Sequence, residues 1–470
     1  MLPLTGPEAV GAQGPLQWAQ QNVNAAGGVG GRPIEFVYRD LERQNVETVA
    51  NNLAADSSIA AVIGPANSTD AKQVVSTFVN HHKVVVTPSA TSGNLFRAFR
   101  SHRPQYLWRP VESDVAQVRT MLQVATQGGA TSVALIAGDS GYGNTFFQSF
   151  GFLATEKALR VTATIRYDQE AQGCQRPLDR VLNSGAQVVL AVPDGANQAI
   201  CMAREWRARG SHPRLLLSDA AQTPQLISAL GADAQRLEGT GLAPDPTNGF
   251  AHAFQARFHQ PPTPYAANLY DSVLLIAYGM ARSGGGTGSL LARAIGAVVN
   301  GEGPATGWDR SGVTKELAAI RQGHLPAVHG AVGPWDFDKT SGIELVASTY
   351  EHWRVEGKQF SVVGYLSTAS APSAAKGVSA FLTPPTPGKG ADDVGGSYRP
   401  GPHTGTWALL VAASGGWDNY RHQADVLAQY QRLRAGGVPA DHIIVVSPND
   451  LADNRQNPDP GHVPYSVGGA

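Results

Sequence analysis

Between residues 34 and 242, short β-branched runs alternate with longer segments in which apolar residues recur every three or four positions. The runs at 34–38, 60–64, 83–87, 132–137, 161–167, 187–192 and 214–217 read as strands. The segments at 46–55, 70–79, 115–126, 144–156 and 197–209 read as helices. Strand–helix–strand alternation implies parallel pairing with helices over both faces, because a parallel connection needs a crossover long enough to hold a helix. The expected fold is therefore α/β and doubly wound. Further helical patterns at 264–281, 288–300 and 313–321 make the run too long for one such sheet, and an aromatic-Pro segment at 107–111 separates two alternating series. Two lobes are the economical answer.

Composition narrows the function classes. With 42% hydrophobic residues in 470, the chain can bury a sizeable core. Lys and Arg number 36 against 37 Asp and Glu, a balance that argues against a nucleic-acid partner, which usually demands a basic patch. The longest apolar stretches fall far short of the ~18 residues that span a bilayer, so no membrane span is expected. Two cysteines, Cys174 and Cys201, exclude a disulfide framework and a cysteine zinc site. One bridge between them and two separate buried thiols both fit the sequence. His81 and His82 have no ligand-spaced partner, and the cluster at 27–31 lacks the glycine spacing of a phosphate cradle. No metal or cofactor is expected.

Open α/β sheets bind ligands outside the carboxyl ends of their strands. Two strand ends are equipped for this. Pro65-Ala66-Asn67-Ser68-Thr69-Asp70 follows the strand at 60–64, and Pro88-Ser89-Ala90-Thr91-Ser92 follows that at 83–87. Each offers hydroxyls and free N–H groups at a helix start, which suit a carboxylate or phosphate; ordinary helix capping is the better explanation of any one of them, and only their recurrence on successive strand ends brings a site level with it. In the second series, Asp139-Ser140-Gly141-Tyr142-Gly143 ends the strand at 132–137. Its glycine-flanked Tyr142 either closes over a ligand or forms an exposed turn.

Taken in order, Leu2-Pro3-Leu4-Thr5-Gly6-Pro7, Asn24 to Gly31, Val62-Ile63-Gly64-Pro65, Thr87-Pro88-Ser89-Ala90-Thr91, Tyr142-Gly143, Tyr270-Asp271-Ser272 and Gly330 to Asp338 resemble the type I periplasmic binding proteins, specifically those for branched-chain and related amino acids. The resemblance covers residues 1–365. It implies two hinged lobes, about 1–108 with 243–325 and about 109–242 with 326–365, that close on a ligand without chemistry. It also implies that Ser68 or Thr69, with Thr91, holds the ligand carboxylate, that the Ser89 carbonyl meets its amino group, and that Tyr142 covers it. The family's aromatic after the strand at 187–192 is replaced by Pro193-Asp194-Gly195-Ala196, and its amine-binding acid by Ala220 beside Asp219. Asp194 or Asp219 is then the candidate anion. The implied partner is an ABC permease and the implied location periplasmic or extracellular. Met1 to Gly6 shows no signal peptide, and the family's first strand begins before Leu2, so an upstream segment is expected.

After a Pro/Gly/Ala/Ser-rich linker at 366–405, order returns at 406–470 with a strand, a helix and a strand. Ser414-Gly415-Gly416-Trp417-Asp418-Asn419-Tyr420-Arg421-His422 resembles the opening of legumain-type cysteine peptidases, which have a caspase-like fold. The resemblance implies that Arg421 and His422 start the first helix and that Arg421 contributes to the pocket for the substrate side chain. A peptidase of this class needs a thiolate with a nearby histidine, and no cysteine follows Cys201. The chain as given is expected to bind and not to cleave. The alternative is a fragment of a longer peptidase whose binding lobes regulate it.

Overall fold

The computed structural model describes residues 1–5, 11–93, 95, 99, 103–168, 173–338, 342–368, 407–412 and 420–447. Two compact units, Met1–Ser370 and Ala371–Ala470, divide the chain.

In the first unit, a helix α1 (Gln13–Ala25) and a helix α2 (Val46–Ala55) precede a parallel sheet of β1 (Ala61–Ile63), β2 (Val84–Val86) and β3 (Leu107–Trp108), with α3 (Ser68–Asn80) crossing between β1 and β2. The Val84–Val86 run is buried throughout, as a strand covered on both faces must be. α3 begins where Asn67 caps it, the Asn67 carbonyl accepting from the Asp70 N–H at 2.7 Å.

The chain then enters a seven-stranded sheet through α4 (Asp114–Gln127). In chain order its strands and helices are β4 (Ser132–Gly138), α5 (Gly141–Glu156), β5 (Arg160–Tyr167), α6 (Gln175–Leu182), β6 (Val188–Val192), α7 (Ala196–Ala208), β7 (Arg214–Leu217), α8 (Pro224–Leu230) and β8 (Glu238–Ala243). These five strands are parallel, and an antiparallel hairpin of β12 (Thr349–Glu356) and β13 (Gln359–Ser367) completes the order β13-β12-β8-β7-β6-β4-β5. Every residue of β4 and β6 is buried.

Between β8 and β12 the chain returns to the first lobe. It adds α9 (Phe250–Phe258), α10 (Ala266–Arg282), α11 (Gly288–Val298), β9 (Gly303–Thr306), α12 (Arg310–Arg321), β10 (Pro326–Gly330) and β11 (Gly333–Pro334). β10 pairs with β9, so the second sheet resumes at Thr349 and not at 326. Trp18 of α1 packs against Phe250, Phe254, Phe258, Tyr270 and Trp308, locking this returning segment to the first helix. The first lobe has one continuous core, while the larger sheet carries a core on each face. A disulfide joins Cys174, just before α6, to Cys201 in α7, with the Cα atoms 6.2 Å apart.

Three expectations shift. Residues 34–38 form no strand, because the described ladder contacts nearby are two isolated bridges, Leu2 with Asp40 and Val29 with Arg32, and neither includes this segment. The helix expected from 264 starts at Ala266, since Tyr265 has a left-handed backbone with φ 66°. The linker expected from 366 begins later, as β13 runs to Ser367.

In the second unit, β14 (Ala408–Val411) pairs in parallel with β15 (Ile443–Val446), and α13 (Tyr420–Ala435) lies between them in sequence. Trp407 stacks on His442 with ring centroids 4.2 Å apart.

Glu316 of α12 is fully buried and accepts a hydrogen bond from the Thr306 hydroxyl at 2.5 Å. Burial raises its carboxyl from 4.5 to about 7. A raised carboxyl favours the protonated fold, so this group's contribution is lost as pH climbs from 4.5 through 7. Glu316→Gln should therefore stabilise the protein by about 1–3 kcal/mol at pH 8 and by almost nothing near pH 4.5, measured by urea denaturation. An equal effect at both pH values would contradict this.

Candidate functional site

The carboxyl ends of both sheets face one cavity of about 500 Å³. From the first lobe come Asn67, Ser68, Thr69 and Asp70, at the start of α3, and Ser89 and Thr91, after β2. From the second come Ser140 and Tyr142 after β4, Asp194 after β6, and Asp219 and Ala220 after β7. Tyr265, which precedes α10, completes the wall. All seven binding candidates drawn from the sequence, Ser68, Thr69, Ser89, Thr91, Tyr142, Asp194 and Asp219, therefore line the same cavity.

Their local roles differ. Ser68 is buried, its hydroxyl accepting from the Ser92 N–H at 3.0 Å, whereas Thr69 is exposed. Ser89 donates to the Ala66 carbonyl at 2.9 Å, which ties the two first-lobe loops together. Thr91 is 2% exposed, and its hydroxyl lies against the buried Asp114 carboxyl. Because Thr91 also lines the cavity wall, that hydroxyl can be shared with a ligand. The lobes touch through the Gly93 N–H, which donates to the Thr145 hydroxyl of α5 at 3.0 Å.

Across the cavity, Ser140 caps α5 by accepting from the Gly143 N–H at 3.0 Å, and its hydroxyl donates to Asp194. Gly143 is required because a Cβ there would lie 2.1 Å from the Gly138 carbonyl oxygen. That close approach turns Tyr142 into the cavity. The Tyr142 hydroxyl donates to Asp219 Oδ1 at 2.6 Å, and the Tyr265 hydroxyl donates to Asp219 Oδ2. Burial, reinforced by the Asp219 charge, pushes both tyrosines well above their ordinary range, so they stay as donors. Burial raises Asp194 as well. Asp114, behind Thr91, is raised well above the carboxylate range by burial, with Asp219 adding to the effect. The cavity lining includes three acids, Asp70, Asp194 and Asp219, and no Lys, Arg or His among the described residues.

Tyr265, Gln117 and Arg109 were not legible as site residues. Gln117 accepts weakly from Tyr142 at 3.3 Å. Arg109, fully buried where the chain crosses between lobes, pairs with Glu344 and donates to the carbonyls of Ala90 at 2.8 Å and Ser92 at 3.3 Å. It thereby fixes the loop that carries Ser89 and Thr91. An aromatic between a proline and the longest helix was the one signal for Tyr265; nothing in the sequence marks Arg109.

In the second unit, Arg421 and His422 lie in the first turn of α13. The Arg421 side chain and residues 413–419 and 448–470 lie outside the described residues.

Two doubly wound lobes with a polar cavity at their facing strand ends define a solute-binding architecture. Residues 1–338 match the family model described as periplasmic binding protein, and the chain belongs to that family. Among solved structures it is similar to the leucine-binding protein LivK of Thermotoga maritima, at 18% identity and TM-score 0.59, covering 78% of this chain and 97% of that one. It is likewise similar to LivJ of Streptococcus pneumoniae in complex with isoleucine, at 20% identity and TM-score 0.60, covering 78% and 97%. A solute-binding protein of R. palustris in complex with 4-hydroxybenzoate gives 17% and TM-score 0.62 over 78% and 95%. Identities this low show the fold alone. Residues 406–467 match the Peptidase C13 family. There the chain is 49% identical to Legumain of Rattus norvegicus over 57 residues, 12% of this chain and 13% of that protein. It is 56% identical to the vacuolar-processing enzyme of Ricinus communis over 55 residues, 12% of this chain and 11% of that one. The chain thus spans only a small part of these curated relatives.

Removing one partner of a buried ion pair leaves the other charge uncompensated. Arg109→Met should lower stability by about 3–5 kcal/mol in urea denaturation, and adding Glu344→Gln should restore part of the loss. No loss in the single variant would remove Arg109 as the anchor of the site loop.

Proposed function

We propose that this chain captures a small solute carrying both a carboxylate and a cationic nitrogen, an amino acid in the simplest case, and presents it to an ABC-type permease or a sensing partner. The charge inventory of the cavity carries the reading. Hydroxyls and a helix N-terminus on the first lobe suit a carboxylate, while Asp219, fixed by two tyrosine hydroxyls, suits an ammonium group on the second. In this reading Ser68 or Thr69, with Thr91, takes the carboxylate, and the Ser89 carbonyl joins Asp219 on the amine. Tyr142 closes over the ligand, and Asp194 is held in reserve by Ser140. A volume of about 500 Å³ fits a ligand of that size. An aromatic carboxylate is the rival ligand, but three lining acids and no lining base favour a zwitterion.

A periplasmic or extracellular location follows from family membership and agrees with the Cys174–Cys201 disulfide, a bond that persists in oxidising compartments. We assign binding and not cysteine-peptidase cleavage to this chain, because both of its cysteines are consumed in that disulfide. Arg421 and His422 then remain as parts of a peptidase-family segment without an assigned reaction.

Isothermal titration against a panel of amino acids tests the proposal. Wild type should bind at least one member, and Thr91→Val together with Tyr142→Ala should weaken it at least tenfold. No binding by wild type, or unchanged binding by the double variant, would overturn the site.

A further inference from the structure

A second cavity, of about 840 Å³, adjoins the ligand cavity and shares Gln222, Pro224, Thr263 and Pro264 with it. One wall comes from the first lobe, through α9 and the loop at 260–264. The other comes from α8 and the β12–β13 hairpin of the second lobe. The second wall combines the apolar Ile227, Phe360 and Val362 with the polar Gln222, Ser228, Glu351 and Gln359.

Glu351 stands directly opposite Tyr365 across the hairpin. Its carboxylate accepts from Gln222 Nε2 at 2.5 Å, and among the described residues no basic side chain forms an ion pair with it. The other charged or titratable groups of the cavity lining are His252, Lys358 and Tyr365, and Lys358 is exposed at the hairpin turn. Burial raises the Glu351 carboxyl to about 7, the behaviour of an acid that lacks a counter-cation. An acid held in an apolar trough is complementary to an ammonium group on an apolar body. The Tyr365 ring adds a face on which such a cation can rest.

We propose that this trough is a second binding site, for a small apolar organic cation. A primary amine on an aryl or alkyl body would set its ammonium on Glu351 and its body along Ile227, Phe360 and Val362. The site goes beyond the cleft reading, since it uses a different acid and a different cavity. Because its walls come from both lobes, its occupant would touch both lobes of the binding unit.

Titration calorimetry of the full chain at pH 8, with 2-phenylethylamine as the probe and the neutral 2-phenylethanol as its control, tests the proposal. The amine should bind at one site and at least tenfold more tightly than the alcohol. Glu351→Gln should erase that difference. Tyr365→Ala, on an exposed part of the hairpin, should weaken the amine severalfold, which keeps the test decisive if Glu351→Gln fails to fold. Equal binding of amine and alcohol, or amine binding unchanged in both variants, would overturn the site. So would loss of amine binding in Asp219→Asn with retention in Glu351→Gln, because the amine would then occupy the ligand cleft.

Discussion

The arrangement of the binding unit rests on one buried cation. Arg109 enters the protein where the first sheet ends and the second lobe begins, and it is fully buried. A charge there is tolerable only because Glu344, on the strand-to-strand return, meets it and two carbonyls of the 90–92 loop accept from its Nη1. The pair therefore joins three features that the function needs in register: the crossover, the return segment and the loop bearing Ser89 and Thr91. With that register set, Thr91 faces Asp219 across a cavity whose polar walls belong to different lobes.

Much of the fold was legible because its cause is local. A run such as Val84-Val85-Val86 can only be a strand buried on both faces, and the alternation of such runs with amphipathic helices leaves little but parallel sheets. The binding candidates were legible for a related reason, since ligands in this architecture sit at strand ends and the sequence marks those ends with hydroxyls and glycines. What escaped was non-local. Tyr265 reaches Asp219 only because a left-handed residue swings its ring away from α10, and Arg109 matters through a partner 235 positions away. The segment at 34–38 misled for the opposite reason: its alternation is strand-like, but a strand also needs a neighbour, and the described bridges nearby, Leu2 with Asp40 and Val29 with Arg32, lie on either side of it.

The acids of the cleft give it its character. Asp219 collects two tyrosine hydroxyls, Asp194 collects a serine hydroxyl, and Asp114 is buried behind Thr91. Asp219 and Asp194 are held by hydroxyl donors, and no Lys, Arg or His lines the cavity among the described residues. The proposed zwitterionic ligand draws on this difference between the walls, hydroxyls and a helix start on the first lobe and Asp194 and Asp219 on the second. The peptidase-like segment adds a parallel strand pair with its crossover helix.

The most direct measurement compares, by titration calorimetry, an amino acid that binds with the same molecule lacking its amino group. The account predicts that the des-amino acid binds at least tenfold more weakly to wild type and that Asp219→Asn removes most of this preference. Equal affinity for the two ligands, or a preference that survives Asp219→Asn, would contradict it.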